Sequence, residues 1–178
     1  MNQQNIWELK GSQLIKQIRR AEVVKQMLKH SKAKQILDIG CAEGFITNYL
    51  SQLPEILEHL PNEAINKGIA EVNRVLKSGG TLIVSVPYKE KITYTRCIYC
   101  GKLTPLYGHI QSFDENKLAS LFHENYKVVK KKYLPNLELI SCSKLLSWIP
   151  SRIWLLINDF LGIIRKGYRI TLKLVKSI

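Results

Sequence analysis

Three groups of residues in this chain have the types and spacings that chemistry needs. In Ile36-Leu37-Asp38-Ile39-Gly40-Cys41-Ala42-Glu43-Gly44 an acid ends an apolar run and small residues follow it. Gly40 would let the backbone turn tightly and approach a ligand. Gly44 would let a following helix pack near the strand with its N-terminal amides facing negative charge. Cys97-Ile98-Tyr99-Cys100-Gly101 has metal-knuckle spacing, in which a tight turn brings two thiolates to one ion. His109 would be a third ligand of zinc there and Cys142 a distant fourth; the competing reading is a turn with two half-buried thiols. His59 and His109 carry imidazoles able to take a proton from an oxygen or nitrogen nucleophile. His59 also reads as a hydrogen-bonded helix residue, and His109 has two competing uses, base and metal ligand.

The elements that must position these residues follow from periodicity. From about Ser12 to His30, Leu14, Ile15, Ile18, Val23, Val24, Met27 and Leu28 recur at helical spacing among basic residues, which predicts an amphipathic leading helix. Gln35 to Ile39 predicts a short apolar strand running into Gly40, with a helix from Phe45 to Leu50. Pro61-Asn62-Glu63 predicts a helix start, Ile65 to Leu76 its body, and Ser78-Gly79-Gly80 its end in the left-handed conformation that glycine permits. Glu63 reads as a first-turn acid favoured by the helix dipole. Thr81 to Val86 predicts a buried strand stopped by Pro87. Ser112-Phe113-Asp114-Glu115 opens a helix to about His123, and Tyr126 to Tyr133 reads as a strand. From Tyr168 to Val175, Ile170, Leu172 and Leu174 alternate with Thr171 and Lys173, the pattern of a half-exposed closing strand. Helix and strand alternate, which predicts an α/β fold.

With 178 residues, 46% of them hydrophobic, the chain has material for one core, so a single domain over 1–178 is expected. Its parts are a leading helix at 1–33, a core at 34–88, a Cys-containing insertion at 89–112, and C-terminal helices with closing strands at 113–178. The formal charge of +13 is uneven: from Tyr126 to Ile178 eleven Lys or Arg face only Glu138 and Asp159. No basic stripe is interleaved with stacking aromatics, so the charge does not argue for nucleic acid. The first residues show no positive segment followed by an apolar run, which predicts a cytoplasmic location and reduced thiols. The apolar stretch from Leu145 to Ile164 is broken by Pro150, Arg152 and Asp159, short of the ~20 residues a membrane span needs. Trp148, Trp154 and Phe160 beside Arg152, Arg165 and Lys166 would suit a peripheral membrane contact, against the plainer reading of a core helix.

The glycine turn resembles motif I of class I S-adenosylmethionine-dependent methyltransferases, and later segments resemble that family in the expected order. Leu57-Glu58-His59-Leu60-Pro61-Asn62 is similar to the stretch after the family's fourth strand. Arg74 to Leu82 is similar to its helix and turn into the fifth, and Gly108-His109-Ile110-Gln111-Ser112-Phe113 to a segment preceding a helix beside the substrate pocket. The likeness runs from about Ala21 to Lys173. It implies that Asp38, Gly40, Cys41, Ala42 and Gly44 hold the methionine end of the cofactor, S-adenosyl-L-methionine, with Asp38 beside its ammonium. It also implies that His59 and His109 lie on the rim of the active site, His109 as the candidate catalytic base.

One departure is large. Between motif I with its helix and the fourth-strand segment the family has on the order of 50 residues at usual element and loop lengths. Here Leu50 to Pro54 are available. The expected fold is therefore a Rossmann-like methyltransferase sheet with flanking helices, reduced by loss of the second to fourth strands. Its remaining order would be first, fifth, seventh, sixth, and the first strand's open edge would invite self-association. The expected function is methyl transfer to a small-molecule, lipid-linked or sugar acceptor. The alternatives are a non-catalytic relative acting as a binding module, which the short middle favours, and a zinc-containing RNA methyltransferase.

Overall fold

The computed structural model describes residues 11–29, 57–135, 148–164 and 167–177. The glycine turn, the strand expected before it and Cys142 lie outside the described residues, and with them Asp38, Gly40, Cys41, Ala42 and Gly44.

The periodic apolar positions become helix α1, Gly11–Leu28, whose Val23, Val24 and Met27 are buried. A 3₁₀ turn, Leu57–His59, precedes helix α2, Asn62–Val75, which Pro61 enters in extended conformation with Glu63 in the first turn. Gly79, at φ 72°, turns the chain into strand β1, Thr81–Pro87. A short hairpin, β2 Tyr94–Arg96 and β3 Leu103–Pro105, comes next. Helix α3 spans Glu115–Ser120, shorter than its sequence pattern suggested: Asp114 Oδ1 accepts from the amides of Asn116 and Lys117 at 3.0 and 2.8 Å, so the cap fixes the start at Glu115. Strand β4, Tyr126–Leu134, helix α4, Ser151–Ile164, and strand β5, Arg169–Lys176, complete the described chain.

The fold is mixed α/β. Its larger sheet has the order β1-β5-β4, with β5 antiparallel to both neighbours. On one face Leu82, Val84 and Val86 of β1 join Ile170, Leu172 and Leu174 of β5, covered by Ile65 of α2 and by Phe113, Leu118 and Phe122. On the other, Ile83 and Leu134 pack with Val23, Val24 and Met27 of α1. Two lysines of β5 close the helix ends: Lys173 Nζ donates to the Met27 carbonyl at 2.7 Å, and Lys176 Nζ to those of Asn73 and Leu76 at 2.6 and 2.8 Å. Both place positive charge where the helix dipole is negative.

Alternation misjudged β5. Thr171 is 1% exposed rather than half-exposed, because the strand is central and helices cover both faces; its hydroxyl is satisfied by Ser85 Oγ at 3.0 Å. In β4 the register shifts between Val128 and Lys130. This bulge lets Tyr126 and Tyr133 face the same core although an odd number of steps separates them.

Of the aromatics in the C-terminal apolar stretch, Trp154 is buried and its indole N–H donates to the Arg19 carbonyl at 3.3 Å, while Trp148 and Phe160 are exposed. Among the described residues no helix is long and apolar enough to cross a membrane.

Candidate functional site

The chain leaving β1 supplies the first part of the site. Tyr88 bridges to Phe113, and the Lys89 amide donates to the Phe113 carbonyl at 2.7 Å. Lys89 then takes φ 48°, a left-handed conformation uncommon outside glycine, which turns the chain toward His109. Glu90 follows, and its Oε2 accepts from His109 Nδ1 at 2.5 Å, with each side chain 15% exposed.

The second part comes from the 3₁₀ turn. The Glu58 carbonyl accepts from the amides of Ile110 and Gln111 at 2.8 and 3.1 Å, and Gln111 Nε2 donates to the Leu60 carbonyl at 2.7 Å. These bonds fasten Leu57–Leu60 along 108–111. Gly108 is at φ 72°, and a Cβ there would meet His59 Nδ1 at 3.3 Å, so glycine serves both the turn and the close approach. His59 Nδ1 lies 3.1 Å from the Gly108 carbonyl, and the two imidazole rings meet edge to face at 4.6 Å.

Four ionisable side chains therefore converge just past the carboxyl end of β1: Glu58, His59, Glu90 and His109. Both tautomers follow from the partners. A carbonyl only accepts, so His59 carries its proton on Nδ1; His109 Nδ1 donates to the Glu90 carboxylate. Each ring is left with an Nε2 lone pair. Glu58 is 0% exposed, and neither carboxylate oxygen has a hydrogen-bond partner among the described residues. Burial pushes its carboxyl above the usual range, opposed by its own backbone amide and by the positive charge His109 can carry, and reinforced by Glu90. Donor atoms of Glu58, His59 and His109 all lie within 4.8 Å of one another.

The structure thus brings His109 to Glu58 and His59. Cys97 and Cys100 lie in the β2–β3 connection, where the Gly101 amide donates to the Cys97 carbonyl at 2.9 Å and Gly101 sits at φ 68°. The amide of Cys100, then that of Tyr99 and the Cys100 thiol, hold the Cys97 thiol below its ordinary value. Both thiols are free. Among the described residues they form no group of three candidate ligands with His109.

Sequence reasoning singled out His59 and His109 and passed over Glu58 and Glu90. The available signals were an acid adjacent to His59, and a second acid just beyond a buried strand, where ligand sites of α/β proteins gather.

No family model, curated protein or solved structure matches this chain.

Proposed function

We propose that this protein is an S-adenosylmethionine-dependent methyltransferase acting on a small-molecule, lipid-linked or sugar acceptor. The observation that carries the reading is the convergence of Glu58, His59, Glu90 and His109 just past the carboxyl end of β1. Support comes from the sheet order β1-β5-β4, the order that the methyltransferase resemblance implies for its fifth, seventh and sixth strands.

The donor would supply an electrophilic methyl on a positively charged sulfur. Asp38, Gly40, Cys41, Ala42 and Gly44 would hold its amino-acid end, by resemblance of their segment to motif I. What the described residues contribute lies on the acceptor side. Glu90 fixes the His109 ring through Nδ1 and leaves Nε2 to accept the proton of an oxygen or nitrogen nucleophile. His59, held by Gly108, walls the same space. Orienting the nucleophile in line with the methyl is the larger effect, and a pair of segments fastened by backbone hydrogen bonds is suited to it.

The short Leu50–Pro54 connection favours a second reading, a non-catalytic relative that keeps the scaffold and binds a partner. Calorimetric titration with S-adenosylmethionine and its demethylated product, on this chain and on Gly40→Val, separates the two. The enzyme reading expects submillimolar binding that Gly40→Val weakens about tenfold or more, by denying the ligand the close approach of the backbone. Absence of binding favours the second.

A further inference from the structure

We infer that Glu58, His59 and His109 form a binding site for a single divalent transition-metal ion, zinc or a first-row neighbour. The inference stands on the contacts of these residues, whether or not a methyl donor binds elsewhere on the chain.

The donors are in place before any ion arrives. Their ligand atoms lie within 4.8 Å of one another, and around one ion at ordinary metal–nitrogen and metal–oxygen distances they would stand about 3–3.5 Å apart. A contraction of up to about 1.3–1.8 Å by side-chain rotation closes the site.

The hydrogen bonds already present prepare the ligands. A metal-bound histidine usually donates its other N–H to a carboxylate or a backbone carbonyl, which fixes the ring and its tautomer. Glu90 does this for His109 and the Gly108 carbonyl for His59, so both rings offer Nε2. These two contacts use different acceptors on different segments, yet they produce the same ligand form.

Glu58 provides the independent observation. It is fully buried, and both carboxylate oxygens lack a hydrogen-bond partner among the described residues. A buried carboxylate in that condition is costly unless something pairs with it. Its carbonyl is bonded to Ile110 and Gln111, so the residue is held rather than free to swing into solvent. A cation held between the carboxylate and one ring nitrogen of each histidine would satisfy the carboxylate.

Chemistry narrows the ion. Two imidazoles and one carboxylate suit zinc, iron, nickel or manganese better than calcium or magnesium, whose sites are built from oxygen. Three protein ligands leave a coordination position open, the pattern of catalytic rather than structural zinc. An acceptor hydroxyl bound at that position would have its pKa lowered by the ion and would lose its proton to solvent, and Nε2 of His109, holding the ion, would then not act as the base. The site is also separate from the Cys97–Cys100 knuckle, which could hold an ion of its own.

The test uses the whole chain, stripped with chelator and desalted, then titrated with Zn²⁺, Mn²⁺ and Mg²⁺ by calorimetry and with Co²⁺ by absorption. The expected results are zinc binding retained in the Cys97→Ser/Cys100→Ser double variant, weakened about 10–100-fold or more when Glu58→Gln or His109→Gln is added to that variant, and much tighter than Mg²⁺ binding. On the double variant Co²⁺ should give visible ligand-field bands with no thiolate charge-transfer absorption. Zinc binding abolished by the cysteine substitutions would overturn the site, as would zinc affinity unchanged when Glu58→Gln is added to the double variant. The cobalt spectrum needs no substitution at Glu58, so it decides the matter even if that variant fails to fold.

Discussion

Glu90 and His109 meet at 2.5 Å although 19 positions separate them in the chain. The left-handed turn at Lys89 brings the acid round from the end of β1, and the bonds from Ile110 and Gln111 to Glu58 bring the histidine from the other side. The pairing places one Nε2 lone pair at a fixed point beside a second imidazole.

Glu90→Ala removes the group that orients His109 without touching the core. Loss of such an outer partner reduces activity or metal affinity by about 10–100-fold. Far-ultraviolet circular dichroism and the unfolding midpoint are expected to stay close to the parent, because Glu90 is not part of any core cluster. A binding loss accompanied by unfolding would mean that the pair is structural.

Tyr126 carries a hydroxyl buried in the core with no partner among the described residues, and burial pushes its pKa up from its ordinary value. Removing an unpaired buried hydroxyl is neutral or stabilising, so Tyr126→Phe should change stability by between 0 and about +1 kcal/mol at neutral pH. The sign of the alkaline effect follows from linkage. The folded state holds this proton more tightly than the unfolded state, so above about pH 10 the unfolded chain ionises first and stability falls as pH rises toward the folded pKa. Urea unfolding between neutral pH and pH 11 should therefore show a steeper alkaline loss in the parent than in Tyr126→Phe. Parallel curves would contradict this.

Trp154 and Trp148 share one apolar stretch but differ in exposure, 2% against 88%. Trp154→Ala should cost about 3–5 kcal/mol, since it empties a site between α4 and α1 and leaves the Arg19 carbonyl without the indole donor. Trp148→Ala should lie within about 0.5 kcal/mol of the parent. Chemical denaturation of the two variants compares them directly, and equal effects would contradict the packing described.

Much of the scaffold was legible in the sequence because its determinants are local. Val23, Val24 and Met27 announce the buried face of α1 by spacing alone; Asp114 announces a cap, and the Thr81–Val86 run a buried strand. Strand order is not local. The alternation in β5 looks half-exposed until β1 and β4 flank it and helices cover both faces, and the bulge near Val129 resets the facing of β4 without a glycine to mark it. The site was legible only in part for the same reason. His59 and His109 stood out as residue types, whereas Glu58 becomes unusual only when burial strips its solvent and Glu90 only when Lys89 turns back. Cys97 and Cys100 stood out by spacing and sit in a tight turn, but that spacing could not tell that His109 would pair with Glu90.

The proposed site for a sulfonium donor is the glycine turn, and Gly40 and His59 lie in one tryptic peptide, Gln35 to Lys67. Ultraviolet cross-linking of S-adenosyl-L-[methyl-³H]methionine to the intact chain, followed by peptide mapping, tests that location most directly. Donor binding there predicts label concentrated in that peptide and displaced by unlabelled S-adenosylhomocysteine. Label absent, undisplaced, or confined to the C-terminal peptides would contradict it.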